Sequence, residues 1–141
     1  YISAHFERIA SCMRMKFIRY RPRREAARGV MAALRAGEIV CIVGDEPRPE
    51  EGVTIRFFGR EVSAPRGPAV LALRTGAAFL CAFACSCRKG HTLYIYPVKK
   101  VPSTRDEDSI RQLTQAANDV FETFLREHLS DWSWFRNRWK G

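Results

Sequence analysis

No histidine in this 141-residue chain is followed, after four intervening residues, by Asp or Glu. His5 leads to Ala10, His91 to Tyr96 and His128 to Ser133, so the chain holds no self-contained His–acid pair of that spacing. Walker, Rossmann, nucleophile-elbow and HExxH patterns are missing too, which removes nucleotide cradles, serine hydrolases and zincins from consideration. No apolar stretch approaches the roughly 20 residues needed to cross a bilayer as a helix. The longest, Ala77 to Cys85, has the length of a strand. No CxxC pair occurs among the five cysteines (Cys12, Cys41, Cys81, Cys85, Cys87), so a zinc knuckle is not indicated. Their odd number, with no secretion signal in view, favours a reducing compartment. In an extended strand Cys81, Phe83, Cys85 and Cys87 share one face, and they read as small buried hydrophobes.

Hydrophobic residues make up 46% of the chain, enough for a packed core rather than a disordered tail. The first residues are Tyr1-Ile2-Ser3, with no Met, which leads us to expect the C-terminal part of a longer protein, one domain's worth over 1–141. The formal net charge is +9, and it is clustered. Arg14, Lys16, Arg19, Arg21, Arg23, Arg24 and Arg28 form one group; Arg136, Arg138 and Lys140 close the chain. Such clusters attract polyanions: nucleic acid, anionic lipid headgroups or acidic carrier proteins.

The apolar pattern predicts helices over residues 2–14, Arg24–Ala36 (stopped by Gly37), Ala69–Thr75 (opened by Gly67-Pro68, closed by Gly76) and Asp106–His128. The last is strongly amphipathic, with Asp106, Glu107 and Asp108 where the helix dipole favours negative charge. Strands are expected at Lys16–Arg19, Glu38–Val43, Val53–Phe57, Ala77–Cys87 and Thr92–Val98. Ile39, Val40, Cys41, Ile42 and Val43 run unbroken, as a central buried strand does. The last two strands should form a hairpin through Arg88-Lys89-Gly90. Alternating strands and helices indicate an α/β fold. In such folds sites gather after strand ends, and Asp45-Glu46 follows the apolar run in that way.

In order along the chain, several segments resemble one family. Gly52-Val53-Thr54-Ile55-Arg56-Phe57-Phe58-Gly59, then Gly67-Pro68-Ala69-Val70-Leu71-Ala72-Leu73-Arg74-Thr75-Gly76-Ala77, is similar to the core signature of the lipid A biosynthesis acyltransferases. Ala36-Gly37-Glu38-Ile39-Val40 with Asp45 resembles the family's helix, Gly-Glu, strand and Pro-Asp-Gln turn. Trp134-Phe135-Arg136-Asn137-Arg138-Trp139-Lys140 resembles its closing motif. The resemblance implies a glycerolphosphate-acyltransferase-like mixed sheet flanked by helices, with an N-terminal part lying outside this chain. It implies transfer of a fatty acyl chain from acyl carrier protein or coenzyme A to a hydroxyl of a lipid A-type phosphoglycolipid. The catalytic His-x4-Asp/Glu pair is then expected upstream of Tyr1, and residues 1–141 alone are expected to be inactive. Asp45 is assigned a supporting catalytic role, and Arg14, Glu46 and Arg138 contacts to substrate. No cofactor or metal is implied. The expected location is the cytoplasmic face of the bacterial inner membrane.

The sequence departs from the family at Gly44-Asp45-Glu46, at Ser63-Ala64-Pro65-Arg66, where hydroxyls are expected, and at Arg136, where His is usual. These changes leave the acceptor open. Two other readings stand beside the enzyme: a basic nucleic-acid-binding module, which lacks any helix-turn-helix, RRM or KH signature, and a catalytically inactive relative with a scaffolding role. The aromatic segment Trp132, Trp134 and Trp139 suits either an interfacial anchor or packing on the long helix.

Overall fold

A computed structural model of the chain describes residues 8, 10, 12, 14–18, 22–46, 51–134 and 138–139. It divides into two compact units, Tyr1–Val40 and Cys41–Gly141, each taken by itself below.

In the first unit, helix α1 spans Arg23–Arg35. Pro22 fixes an extended entry (φ −66°, ψ 137°), Glu25 lies in the first turn and Arg35 in the last, both favourable to the helix dipole. The amide of Glu38 donates back to the Ala33 carbonyl, so the chain leaves the helix at Gly37 as anticipated. No residue of α1 is fully buried. The strand expected at Lys16–Arg19 is not formed over the described residues 15–18, which are exposed coil. Most of the helix expected over 2–14 lies outside the described residues.

In the second unit, β1 (Gly52–Phe57) and β2 (Arg60–Pro65) form one antiparallel pair, and β3 (Leu80–Cys87) and β4 (Gly90–Pro97) another. Between the pairs lies α2 (Gly67–Thr75), and after them α3 (Glu107–Glu127) and a 3-10 turn, Leu129–Asp131. The composition is α/β as expected, and both described sheets are two-stranded. Strand β2 has no counterpart in the sequence reading. It exists because Phe58 and Gly59 both take positive φ (50° and 74°), the twist a two-residue hairpin requires.

The expected buried strand at Glu38–Val43 is a correction. The segment is coil, with Ile39 91% and Val43 80% exposed. A strand is stabilised by neighbours that satisfy its amides and cover its faces, and no described strand pairs with this one.

Helix α3 organises the unit. Asp106 caps it, accepting the Ser109 amide at 2.8 Å. Ile110 and Leu113 pack with Ala69, Ala72, Leu73 and Val98, while Phe124 and Leu125 pack with Ile55, Phe57, Val62, Ala64 and Cys85. One helix thereby serves both cores. It also binds the β1 backbone. Gln115 accepts the Arg56 amide through Oε1 and donates to the Arg56 carbonyl through Nε2, both at 2.8 Å, and Glu122 accepts the Phe58 amide at 2.6 Å. Burial pushes the Glu122 pKa up, but the Phe58 amide and the hydrogen bond and charge of Arg126 together hold it below its ordinary value. They also occupy strand-edge groups that would otherwise be open to other chains. No helix among the described residues is long and apolar enough to cross a membrane.

Candidate functional site

Asp45 ends the exposed apolar segment and is half-buried. Its carboxylate Oδ2 accepts the indole N–H of Trp132 at 3.2 Å. The partner is held from several sides. Trp132 meets Phe121 edge-on at 5.4 Å, Phe57 at 6.2 Å and Trp134 at 4.6 Å. Trp134 in turn donates its indole N–H to the Leu129 carbonyl at 2.6 Å. A carboxylate on a coil segment is thus fixed by a side chain that the aromatic core orients.

Beneath this pair lies Arg138, 1% exposed. Its guanidinium carbon sits 4.3 Å from the Phe57 ring centroid and 5.3 Å from that of Phe121. One terminal nitrogen donates to Asn118 Oδ1, while Nε and the other terminal nitrogen have no hydrogen-bond partner among the described residues. Asn118 is itself anchored, donating to the Thr114 carbonyl at 2.7 Å. Burial lowers the Arg138 pKa to about 10, and the negative charge of Asp45 works against that fall. The guanidinium remains a cation at neutral pH, and Asp45 supplies negative charge that interacts with it.

The structure therefore brings Asp45 and Arg138 into one electrostatic unit, joined through Trp132 and Phe57. Glu46 follows Asp45 and is half-buried. Arg14 belongs to the first unit, where its side chain is exposed and its backbone takes φ 54°. For a residue with a Cβ that conformation costs about 1–2 kcal/mol. Sequence reasoning missed Trp132 and Asn118 as supports. Asn118 offered a signal, being a polar side chain on the apolar stripe of α3; Trp132 offered none that links it to Asp45. A separate concavity of about 360 Å³ lies between the end of α2 and the segment leading into α3, lined by Ala72, Leu73, Gly76, Val101, Ser103 and Arg105 among others. None of the four candidate residues lines it, and it holds no carboxylate, histidine or cysteine.

The cysteines expected on one buried face divide. Cys81 and Cys85 do turn inward, and burial pushes the Cys81 thiol up to about 11. Cys87, at the hairpin end, is exposed.

Comparison with known proteins agrees with the motifs. A family model described as bacterial lipid A biosynthesis acyltransferase matches residues 5–141. A phosphatidylinositol mannoside acyltransferase of Mycobacterium tuberculosis is 31% identical over 106 residues, covering 75% of this chain and 32% of that protein. The protein of the same name from Mycolicibacterium smegmatis is 28% identical over 100 residues, 71% of this chain and 32% of the relative. The chain spans about a third of the length of these curated relatives. It belongs to the bacterial lipid A biosynthesis acyltransferase family.

Proposed function

We propose that this chain is the supporting part of an acyltransferase that moves a fatty acyl chain from a thioester donor, acyl carrier protein or coenzyme A, to a hydroxyl of a phosphorylated glycolipid. The family match over residues 5–141 carries the reading. Lipid A-type acceptors come from the family's description, and phosphatidylinositol mannosides from the names of the relatives. Both are sugar hydroxyls on anionic phosphoglycolipids, and we take that shared chemistry as the acceptor class, with a lipid A-type molecule as the first candidate.

The mechanism needs a general base, and histidine is the usual one for hydroxyl activation. None of the three histidines here has an acid at the family's x4 spacing (His128 pairs with Asp131, three positions on), so the reading requires a His-x4-Asp/Glu pair encoded upstream of Tyr1. That base removes the acceptor hydroxyl proton as the oxygen attacks the thioester carbonyl. The tetrahedral intermediate collapses, expelling the thiolate, which takes up the proton from the base and leaves as the thiol. In this scheme Asp45 orients the site, held by Trp132 and by the positive charge of Arg138. Arg14 and Glu46 contact the substrate headgroup, Arg14 through phosphate. Arg138, assigned to substrate by resemblance, fits better as the countercharge of Asp45, because its buried guanidinium has no free face for a lipid. Exposed Trp134 and the basic clusters of the sequence support work at an anionic membrane surface, and the cytoplasmic face of the bacterial inner membrane is the location proposed.

The test is acyl transfer from a labelled thioester by the protein of the complete reading frame, offered a lipid A precursor and a phosphatidylinositol mannoside in parallel. Asp45→Ala should cut transfer on the order of 100-fold, the scale of a misplaced reacting group, with the fold intact by circular dichroism. Unchanged transfer removes Asp45 from the site. An upstream frame with no His-x4-Asp/Glu overturns the enzymatic reading, as does transfer by residues 1–141 alone.

A further inference from the structure

The 3-10 turn after α3 places two donors on one side. With three residues per turn, positions i and i+3 eclipse, and the Asp131 amide closes the turn on the His128 carbonyl at 3.1 Å. His128 Nδ1 then lies 3.7 Å from Asp131 Oδ2. The His128 ring is stacked on Phe124 (4.4 Å, 20°) and leans on Tyr94 (5.2 Å), so its plane is set by packing. A third donor arrives from β3. Alternation along that strand turns Cys85 inward, leaving it 5% exposed. Its sulfur, an imidazole nitrogen of His128 and a carboxylate oxygen of Asp131 all lie within 4.8 Å of one another.

Thiol, imidazole and carboxylate converging in this way make up the donor set that a zinc-class divalent ion takes. A bound divalent ion displaces the thiol proton to solvent and takes the thiolate, imidazole and carboxylate as ligands. Zinc takes thiolate, imidazole and carboxylate at about 2.0–2.3 Å with tetrahedral angles, which sets neighbouring donors roughly 3.5 Å apart. The His128–Asp131 separation already matches, and the triangle closes with a shift of about 1 Å, within the reach of side-chain torsions.

We propose that Cys85, His128 and Asp131 form a site for one divalent ion of the zinc class, with three protein ligands and a fourth position open to water. The site is independent of the acyl-transfer reading. Its ligands join β3 to the end of α3, the stretch that leads directly into Trp132, the hydrogen-bond donor to Asp45. A bound ion braces that stretch.

Cobalt(II) titration of the purified full chain tests the proposal. The expected result is one equivalent bound, with a thiolate-to-cobalt charge-transfer band in the near ultraviolet that zinc(II) abolishes by displacement. A variant in which Cys12, Cys41, Cys81 and Cys87 are all changed to Ser should keep the band. Cys85→Ser should lose it, and His128→Ala and Asp131→Asn should each weaken binding at least tenfold. No band in the variant that retains Cys85 alone overturns the site, however Cys85→Ser folds. So does a band that survives in a folded Cys85→Ser protein.

Discussion

Phe57 is the side chain on which the second unit turns, and its replacement should separate packing from the cation–π contact. The ring is 0% exposed, and it touches Phe121, Trp132, Trp139 and the guanidinium of Arg138. Truncating a core Phe to Ala costs about 3–5 kcal/mol through lost transfer energy and the cavity left behind. Removing the face under a desolvated guanidinium adds on the order of 2 kcal/mol. The two contributions share atoms and do not sum fully, so Phe57→Ala should cost about 5 kcal/mol. At a urea slope of about 2 kcal/mol per molar, the midpoint falls by about 2.5 M. Phe57→Leu keeps most of the volume, losing about 1 kcal/mol to shape and about 2 to the missing ring face. Unfolding can be followed by tryptophan fluorescence, since Trp132, Trp134 and Trp139 all lie around this ring or its neighbours. A double-mutant cycle of Phe57→Leu with Arg138→Met isolates the contact, with an expected coupling of about 2 kcal/mol. A coupling below about 0.5 kcal/mol would refute the assignment of Phe57 as a cation–π partner of Arg138.

Two further outcomes are expected. Asp106 sits below its ordinary pKa chiefly because the Ser109 amide donates to its carboxylate, so its stabilisation is complete above the ordinary carboxylate value of about 3.9 and is lost as pH falls through the lower folded value. Asp106→Ala should lower the thermal midpoint at pH 7 and converge with wild type in strong acid; a gap that persists there would show that the cap acts through something other than its charge. Cys81, raised from 9.0 to about 11 by burial, should be alkylated at pH 8 at least tenfold more slowly than exposed Cys87, as read by peptide mass spectrometry. Equal rates would mean that the β3 face opens readily.

The elements legible in the sequence are those whose signals are local. Helix α3 announced itself by its apolar stripe and acidic start, α2 by Gly67-Pro68 and Gly76, and the β3–β4 hairpin by two apolar runs around Arg88-Lys89-Gly90. Strand β2 escaped because Arg60-Glu61 begins it and Pro65 ends it, leaving only Val62 and Ala64 to alternate. The segment Glu38–Val43 failed in the opposite way. Its residues have every local property of a buried strand, but pairing is a property of two strands, and no described strand supplies the second. The site divides along the same line. Asp45 was visible as an acid following an apolar run. Its hydrogen-bond donor lies 87 positions away, and nothing near Trp132 in sequence records that contact. The burial of Arg138 was equally invisible, because an arginine in a basic, aromatic tail reads the same whether it faces solvent or a ring.

That burial bears on what Arg138 is for. A buried cation with two nitrogens that lack partners among the described residues is weak grounds for stability. Replacing it with Met gives up the Asn118 bond, about 1.5–3 kcal/mol for a charged donor, and the ring contact, about 2 kcal/mol. It also relieves two nitrogens without partners among the described residues, at about 1–3 kcal/mol each, and keeps an apolar side chain against Phe57 and Phe121. These contributions nearly cancel, so Arg138→Met should change stability by no more than about 1 kcal/mol. What Met does not supply is positive charge beneath Asp45. If the charge serves the site, acyl transfer by the complete protein falls in Arg138→Met by a factor comparable to that in Asp45→Ala, and the double variant falls little further, because the two residues act as one unit. Additive losses would mean that Arg138 works elsewhere, and a large loss of stability with normal specific activity would make it a structural residue. The predicted combination, a protein as stable as wild type and deficient in transfer, follows only from a guanidinium kept in the core for the carboxylate with which it interacts.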